Sequence, residues 1–294
     1  MADKAANTEK PAGPAGSPPA TTKEVAQRRL LAVLLTADKL NGRLNKVMST
    51  PAGQERVFAF VQYTSHILHH VLTSAPSVAL QARLGLLARL QSTGKSSSQS
   101  ESQGSTPPLL ALSSLASQAR FMLRLLGLPS LLAWGSSTIK SPPADKTIYI
   151  LNLLQVLSNI TYQFLENAAF LATKGVIPKR FLDKYGGDAK WSLWSIRAWL
   201  GHILLQYLVL WRARVLRKKD EAEAKAQGLT EAKQAALRAE TRAWNKSLVN
   251  NVCWTPLCLH WCFEQGLGFP GHLTGLVSFM AGGWGFADLW AATL

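Results

Sequence analysis

The sequence predicts an all-α fold: a helical membrane protein with N-terminal amphipathic helices and a C-terminal hydrophobic, glycine-striped helical anchor. Three observations predict it. All 32 Lys and Arg residues lie at or before Lys246, so charge and apolar content are segregated along the chain. All but one of the 10 Trp lie between Trp191 and Trp290, among apolar runs, where an amphipathic ring suits a membrane interface. Finally, Gly271, Gly275, Ser278, Gly282 and Gly285 fall within about 80° of arc on one helix, a small-residue stripe of the kind that lets membrane helices approach closely.

At 294 residues, 47% of them hydrophobic, the chain is large enough to bury a sizeable core. Its +15 net charge points to nucleic acid or anionic lipid. Single-strand binders interleave aromatics with cations, and here the two are separated, so an anionic phospholipid membrane is the expected partner and nucleic acid is not. Cys253, Cys258, Cys262 and His260 are of zinc-ligand type, but on a helix the cysteines do not converge, and buried soft residues in a reducing compartment are expected. No phosphate loop, dinucleotide fingerprint or H-E-x-x-H motif is present, so no catalytic residue, metal or cofactor is assigned. No apolar run follows Met1, and targeting is expected to be internal.

Residues 1–22, rich in Ala, Pro, Gly and Thr, read as a disordered tail. An amphipathic helical region follows over residues 23–190, interrupted by a Ser/Gln/Gly tract at 91–108 that reads as a disordered loop. Within it, residues 55–72 alternate with helical period and carry His66, His69 and His70 on the wet side. The sharpest pattern is Leu109 to Leu128, which Pro129 ends. Ser113, Ser117, Arg120 and Arg124 share about 60° of arc opposite Leu112, Leu115, Ala119, Met122, Leu123 and Leu126. Two readings fit: a helix in the headgroup layer whose arginines pair with lipid phosphate, or an ordinary helix packed on its neighbours. Tyr149 to Thr173 carries Asn152, Gln155, Asn159, Gln163 and Glu166 along a narrow stripe, expected to hydrogen-bond a partner helix, with Gly175 as the stop.

Residues 191–212 form the candidate transmembrane helix, with Arg197, His202 and Gln206 as polar interruptions. Lys and Arg flank it on both sides, so charge bias does not set its orientation. Residues 213–245 read as a charged linker helix, with Thr230 as a cap. Residues 246–294 read as a C-terminal hydrophobic hairpin or transmembrane segment ending in the glycine stripe.

The order of these features resembles the peroxisomal biogenesis factor 11 family. Val249-Asn250-Asn251-Val252-Cys253 followed by Leu273-Thr274-Gly275-Leu276-Val277-Ser278 is similar to the family's V-R-N-x-C and G-L-x-G-L-V-S-S segments, and Leu112 to Leu128 to its basic amphipathic helix. Phe121 and Leu128 stand where the family has further cations, and Trp254 where it has an acid, which marks a divergent member. The resemblance implies a non-enzymatic protein of the peroxisomal membrane that elongates and divides the organelle. It also implies homo-oligomerisation and recruitment of fission machinery including a dynamin-like GTPase. On this reading Leu112, Leu115, Ala119, Met122, Leu123 and Leu126 wedge into acyl chains, Arg120 and Arg124 hold headgroups, and the glycine stripe anchors and assembles the protein. The alternative is a channel or carrier for small metabolites, with His202, Gln206 and the amide stripe lining a polar path.

Overall fold

The structure is a computed structural model that describes residues 22–74, 106–226, 228 and 230–294. The expected tail, apart from Thr22, and the expected loop as far as residue 105 lie outside the described residues. Every regular element among the described residues is helical.

The chain divides into two compact units, Met1–Lys46 and Val47–Leu294. The described part of the first is helix α1 (Thr22–Met48), which ends within the second unit. Ala, Leu, Lys and Arg dominate it and favour helix. Leu30, Leu31, Val33, Leu34 and Leu35 on it are exposed.

In the second unit, α2 (Pro51–Ser74) begins on a proline, which needs no amide donor there, and the Thr50 hydroxyl accepts from the Gly53 N–H at 3.1 Å. Helix α3 (Pro108–Arg124) likewise starts on Pro108. The apolar pattern expected to run to Leu128 ends sooner. Pro129 falls inside the first turn of a further helix, α4 (Gly127–Lys140), where a missing N–H costs nothing. Helix α5 (Lys146–Thr173) is capped by Asp145, whose carboxylate accepts from Ile148 N at 3.0 Å. Two hydrogen bonds from Arg212 and those from the helix N-terminus hold that carboxyl below its ordinary range. Gly175 stops the chain with φ of +76°, a conformation that favours glycine.

A short helix, α6 (Lys179–Asp183), leads to α7 (Gly187–Ala226), whose 40 residues contain both the candidate span and the basic run after it. At about 1.5 Å per residue α7 is about 60 Å long, twice a hydrocarbon core. Helix α8 (Glu231–Trp261) has Thr230 as its cap, as the sequence indicates, and continues without a break from the charged linker into the apolar segment. The expected boundaries at 212/213 and 245/246 therefore fall inside helices. A 3-10 turn (Gly271–Leu273) precedes α9 (Thr274–Ala291).

Six helices close a ring: α3 packs on α2, α2 on α9, α9 on α8, α8 on α7, α7 on α5, and α5 again on α3, with α4 against the outside of α5. The interior mixes an apolar core, with Ile203, Leu210, Leu257 and Cys258 buried, with a set of buried polar side chains, and much apolar surface is left outside. Gln155, Gln163, Asn167, Ser195, Asn251 and Ser278 are buried, while Ile150, Leu154, Leu157 and Phe164 of α5 and Leu204, Leu208 and Trp211 of α7 are exposed. Soluble monomers rarely leave contiguous apolar patches of this kind uncovered. Among the described residues, one helix, α7, is long and apolar enough to cross a membrane, and α3 with α4, bent by 49°, pass that test only as a pair.

The small-residue stripe joins α9 to α2. A Cβ on Gly275 would lie 2.6 Å from His66 Nδ1, on Gly282 it would lie 3.6 Å from Tyr63, and on Gly285 it would reach Arg56 at 3.2 Å, while Ser278 is buried. Gly271 lies in the 3-10 turn with nothing within 4 Å, so the stripe is not one continuous helix and Gly271 has no packing role. Phe60 of α2 stacks on Phe286 with centroids 4.7 Å apart and closes the contact. Gly275→Val is expected to destabilise the protein by about 1–3 kcal/mol through overpacking, read as a lower thermal midpoint, whereas Gly271→Ala should leave it unchanged.

Candidate functional site

The polar face of α3 repeats a short polar or cationic side chain every three or four residues, which aligns Ser113, Ser117, Arg120 and Arg124. Each arginine meets a carboxylate from a different helix. Arg120 donates through Nε to Glu55 Oε1 of α2 at 2.7 Å, and through Nη1 to Gln62 Oε1 at 2.7 Å and to the Tyr63 hydroxyl at 2.8 Å. Arg124 forks onto Glu166 of α5, with Nε to Oε2 at 2.8 Å and Nη2 to Oε1 at 3.1 Å, and the Tyr162 hydroxyl donates to the same carboxylate at 2.9 Å. Ser113 donates to the Gln62 carbonyl at 3.0 Å.

The C-terminus of α3 leaves carbonyls without helical partners, and α5 supplies donors: Gln163 Nε2 to Arg124 O at 2.9 Å and Asn167 Nδ2 to Leu125 O at 3.4 Å. Stacking of Phe121 on Phe170, centroids 5.5 Å apart, completes the α3–α5 contact.

The sequence expectation for the arginines is corrected here. Arg120 and Arg124 keep 14% and 23% of their side-chain surface and are bridged to acids within the bundle, so they are not presented to headgroups. The reason is complementarity: α2 and α5 offer a carboxylate at the height of each guanidinium, and a planar fork binds a carboxylate in two places. The apolar side, by contrast, is open. Leu112, Leu115, Met122 and Leu126 are 43%, 65%, 62% and 66% exposed, while Ala119 and Leu123 at the edges of that face are half-buried. Glu55 and Glu166, which decide which way the helix faces, were legible only as members of other helices' polar stripes.

The amide stripe of α5 meets α7. Gln155 donates to Gln206, Asn159 Nδ2 lies 2.7 Å from His202 Nδ1, and Ser195 donates to the Tyr162 carbonyl at 3.0 Å. These side chains hold two helices together, and His202 and Gln206 are engaged with the stripe. The basic run after the candidate span is a more open cationic surface: Lys218 and Lys219 are exposed there, Arg217 pairs with Glu221 one turn on, and Arg214 lies over the Trp244 ring at 5.2 Å. The three cysteines are free and buried.

Four of the six histidines gather where α2 meets the 3-10 turn, with centroid separations of 4.6 Å for His66–His70, 5.0 Å for His69–His70 and 6.2 Å for His70–His272. Burial, followed by the neighbouring imidazoles, lowers the pKa of His66 and His70.

The fold and this site define a class: a helical bundle that buries ionic and amide side chains beside its apolar core and leaves a row of leucines outward. The chain belongs to the Peroxisomal biogenesis factor 11 (PEX11) family, whose family model matches residues 87–290. The family is one of peroxisome biogenesis factors and not a known enzyme family, so the chain has a role in peroxisome biogenesis and is associated with peroxisomes. An uncharacterized protein of Schizosaccharomyces pombe is 30% identical over 170 residues, covering 58% of this chain and 70% of the relative. No solved structure matches the chain. Glu55, the partner of Arg120, lies outside the matched residues, and Glu166 lies within them.

Two outcomes are expected. Arg124→Met strands the half-buried Glu166 carboxylate and should cost on the order of 3 kcal/mol, whereas the double change Arg124→Met, Glu166→Met should recover most of the loss in a thermal-unfolding comparison. Because the folded-state pKa values of His66 and His70 are lowered, the unfolded chain binds their protons more readily, so stability present above pH ~6.5 is lost as pH falls below it. The drop in thermal midpoint between pH 7.5 and 5.5 should therefore be smaller in the variant carrying His66→Gln and His70→Gln than in the parent protein.

Proposed function

We propose that this chain is an integral protein of the peroxisomal membrane that remodels and elongates it for peroxisome proliferation and fission. One observation carries the reading. The exposed face of α3, with Leu112, Leu115 and Met122 and with Leu126 just past its end, is an apolar surface whose opposite side is already satisfied by protein, so only an apolar medium or partner is left for it to meet. The bend of 49° to α4, whose Leu132 and Ile139 are also exposed, makes the pair a broad wedge rather than a straight span. Seated among acyl chains on one side of a bilayer, such a wedge enlarges that leaflet and bends the membrane.

Helix α7 serves as the membrane anchor, supported by its length and its outward Leu204, Leu208 and Trp211. The anionic phospholipid headgroups are met by the exposed Arg214, Lys218 and Lys219 rather than by Arg120 and Arg124, because basic side chains beside an apolar helix are drawn to the surface potential of anionic lipid. Self-association and recruitment of a dynamin-like GTPase belong to this reading through the family resemblance. The glycine stripe is occupied by α2 of the same chain, so assembly uses a surface other than that stripe.

Full-length protein reconstituted into vesicles containing anionic phospholipid should draw them into tubules. Leu115→Glu with Met122→Glu places charge on an exposed face, so the bundle should keep its thermal midpoint while tubule formation falls by an order of magnitude or more. Undiminished tubulation by that double variant would refute the wedge.

A further inference from the structure

Helices α2, α3, α5, α7, α8 and α9 line a half-open cavity of about 420 Å³. That volume lies within the roughly 300–1,000 Å³ of small-molecule sites, and the mixture of aromatic walls with converging polar groups is what such sites have. Its ionic inventory is uneven. The two acids that border it, Glu55 and Glu166, are already taken by Arg120, Arg124 and Tyr162, and the Gln62 carbonyl oxygen by Arg120.

What remains on the lining is mostly donors. The half-buried Trp199, Trp254 and Trp261 each carry an indole N–H, which can only donate, and none has an acceptor among the described residues, whereas the indole of Trp244 elsewhere in the fold donates to Leu210 O at 2.8 Å. The Arg56 guanidinium borders the space without a carboxylate partner among the described residues. Ser278 is buried on the same lining, and His66 Nδ1 is buried with no hydrogen-bond partner. A buried nitrogen left without a partner, as at His66, calls for an explanation, and a lining with spare indole donors and the exposed Arg56 at its edge accommodates an acceptor-rich anion. The indoles sit edge to face, Trp199 on Trp254 at 5.0 Å, with Tyr162 stacked on Trp199 at 5.9 Å, which makes an aromatic wall suited to a flat or apolar body.

We propose that this cavity binds a small oxyanion, a carboxylate or phosphate monoester, attached to a flat apolar body, with Arg56 and the indole N–H groups at the oxyanion and the aromatic wall against the body. This site is separate from the proposed wedge, which uses the opposite face of α3. A soluble metabolite and the headgroup phosphate of a lipid share that chemistry.

The test uses full-length protein in nanodiscs of phosphatidylcholine, titrated with phenyl phosphate and with benzoate while tryptophan emission and thermal midpoint are followed. The expected result is saturable quenching with a raised midpoint for both anions, and none for benzyl alcohol at the same concentrations. Arg56→Gln and Trp254→Phe, the second keeping the ring and deleting the donor, should each weaken binding about tenfold or more. Repeating the titration in discs containing phosphatidic acid separates the sources: displacement of the probe assigns the oxyanion to a lipid headgroup, and undisturbed binding assigns it to a soluble molecule. Equal binding of benzyl alcohol would make the space a plain apolar void, and no saturable signal, or full affinity in both variants, would overturn the proposal.

Discussion

Two guanidinium–carboxylate bridges, Arg120 with Glu55 and Arg124 with Glu166, set the rest of the second unit. They fix the rotation of α3 about its own axis, because a guanidinium removed from water without its acid is costly by several kcal/mol. Once α3 is rotated so that both arginines reach inward, its leucines have one direction left, which is outward. The same orientation brings the last carbonyls of α3 to the amides of Gln163 and Asn167, so α5 must present its polar stripe inward and Ile150, Leu154, Leu157 and Phe164 to the outside. One electrostatic requirement thus propagates around the ring: polar side chains are drawn inward beside the aliphatic core, and large apolar ones are left outside.

Membership of the peroxisomal biogenesis factor 11 family gives this outward apolar surface a biological setting, and the geometry supplies what the family name does not: a division of labour between side chains. The arginines of the amphipathic helix act as internal struts. Exposed Lys218 and Lys219 lie elsewhere, in the run beyond the apolar part of α7. A helix that depended on its own arginines for headgroups would have to leave the bundle to act. The wedge proposed for α3 acts from its seat, since its apolar side is already outward.

Much of the fold was legible in the sequence. The helical period placed α2, α3 and α5, Thr230 and Gly175 marked a start and a stop, and the amide stripe of α5 does meet a partner helix. What was not legible is physical in kind. Periodicity shows that a helix has two faces but not which one faces in, and Arg120 and Arg124 read as surface cations because their partners are 65 and 42 residues away in sequence. Pro129 reads as a terminator although a proline is equally at home in a first turn, so α4 was hidden. The glycine spacing could not show that Gly271 precedes the helix, nor that α2 of the same chain lies against Gly275, Gly282 and Gly285.

The outward apolar face is most directly tested by site-directed spin labelling of full-length protein in phospholipid vesicles, with labels at Leu115, Met122 and Leu157 in turn, the native thiols being buried. Relaxation by oxygen, which concentrates in acyl chains, is compared with relaxation by a water-soluble nickel chelate. All three labels should respond to oxygen and hardly to the chelate, while a label on exposed Lys219 does the reverse. Strong chelate accessibility at Leu115 and Met122 would place that face in water and contradict the wedge.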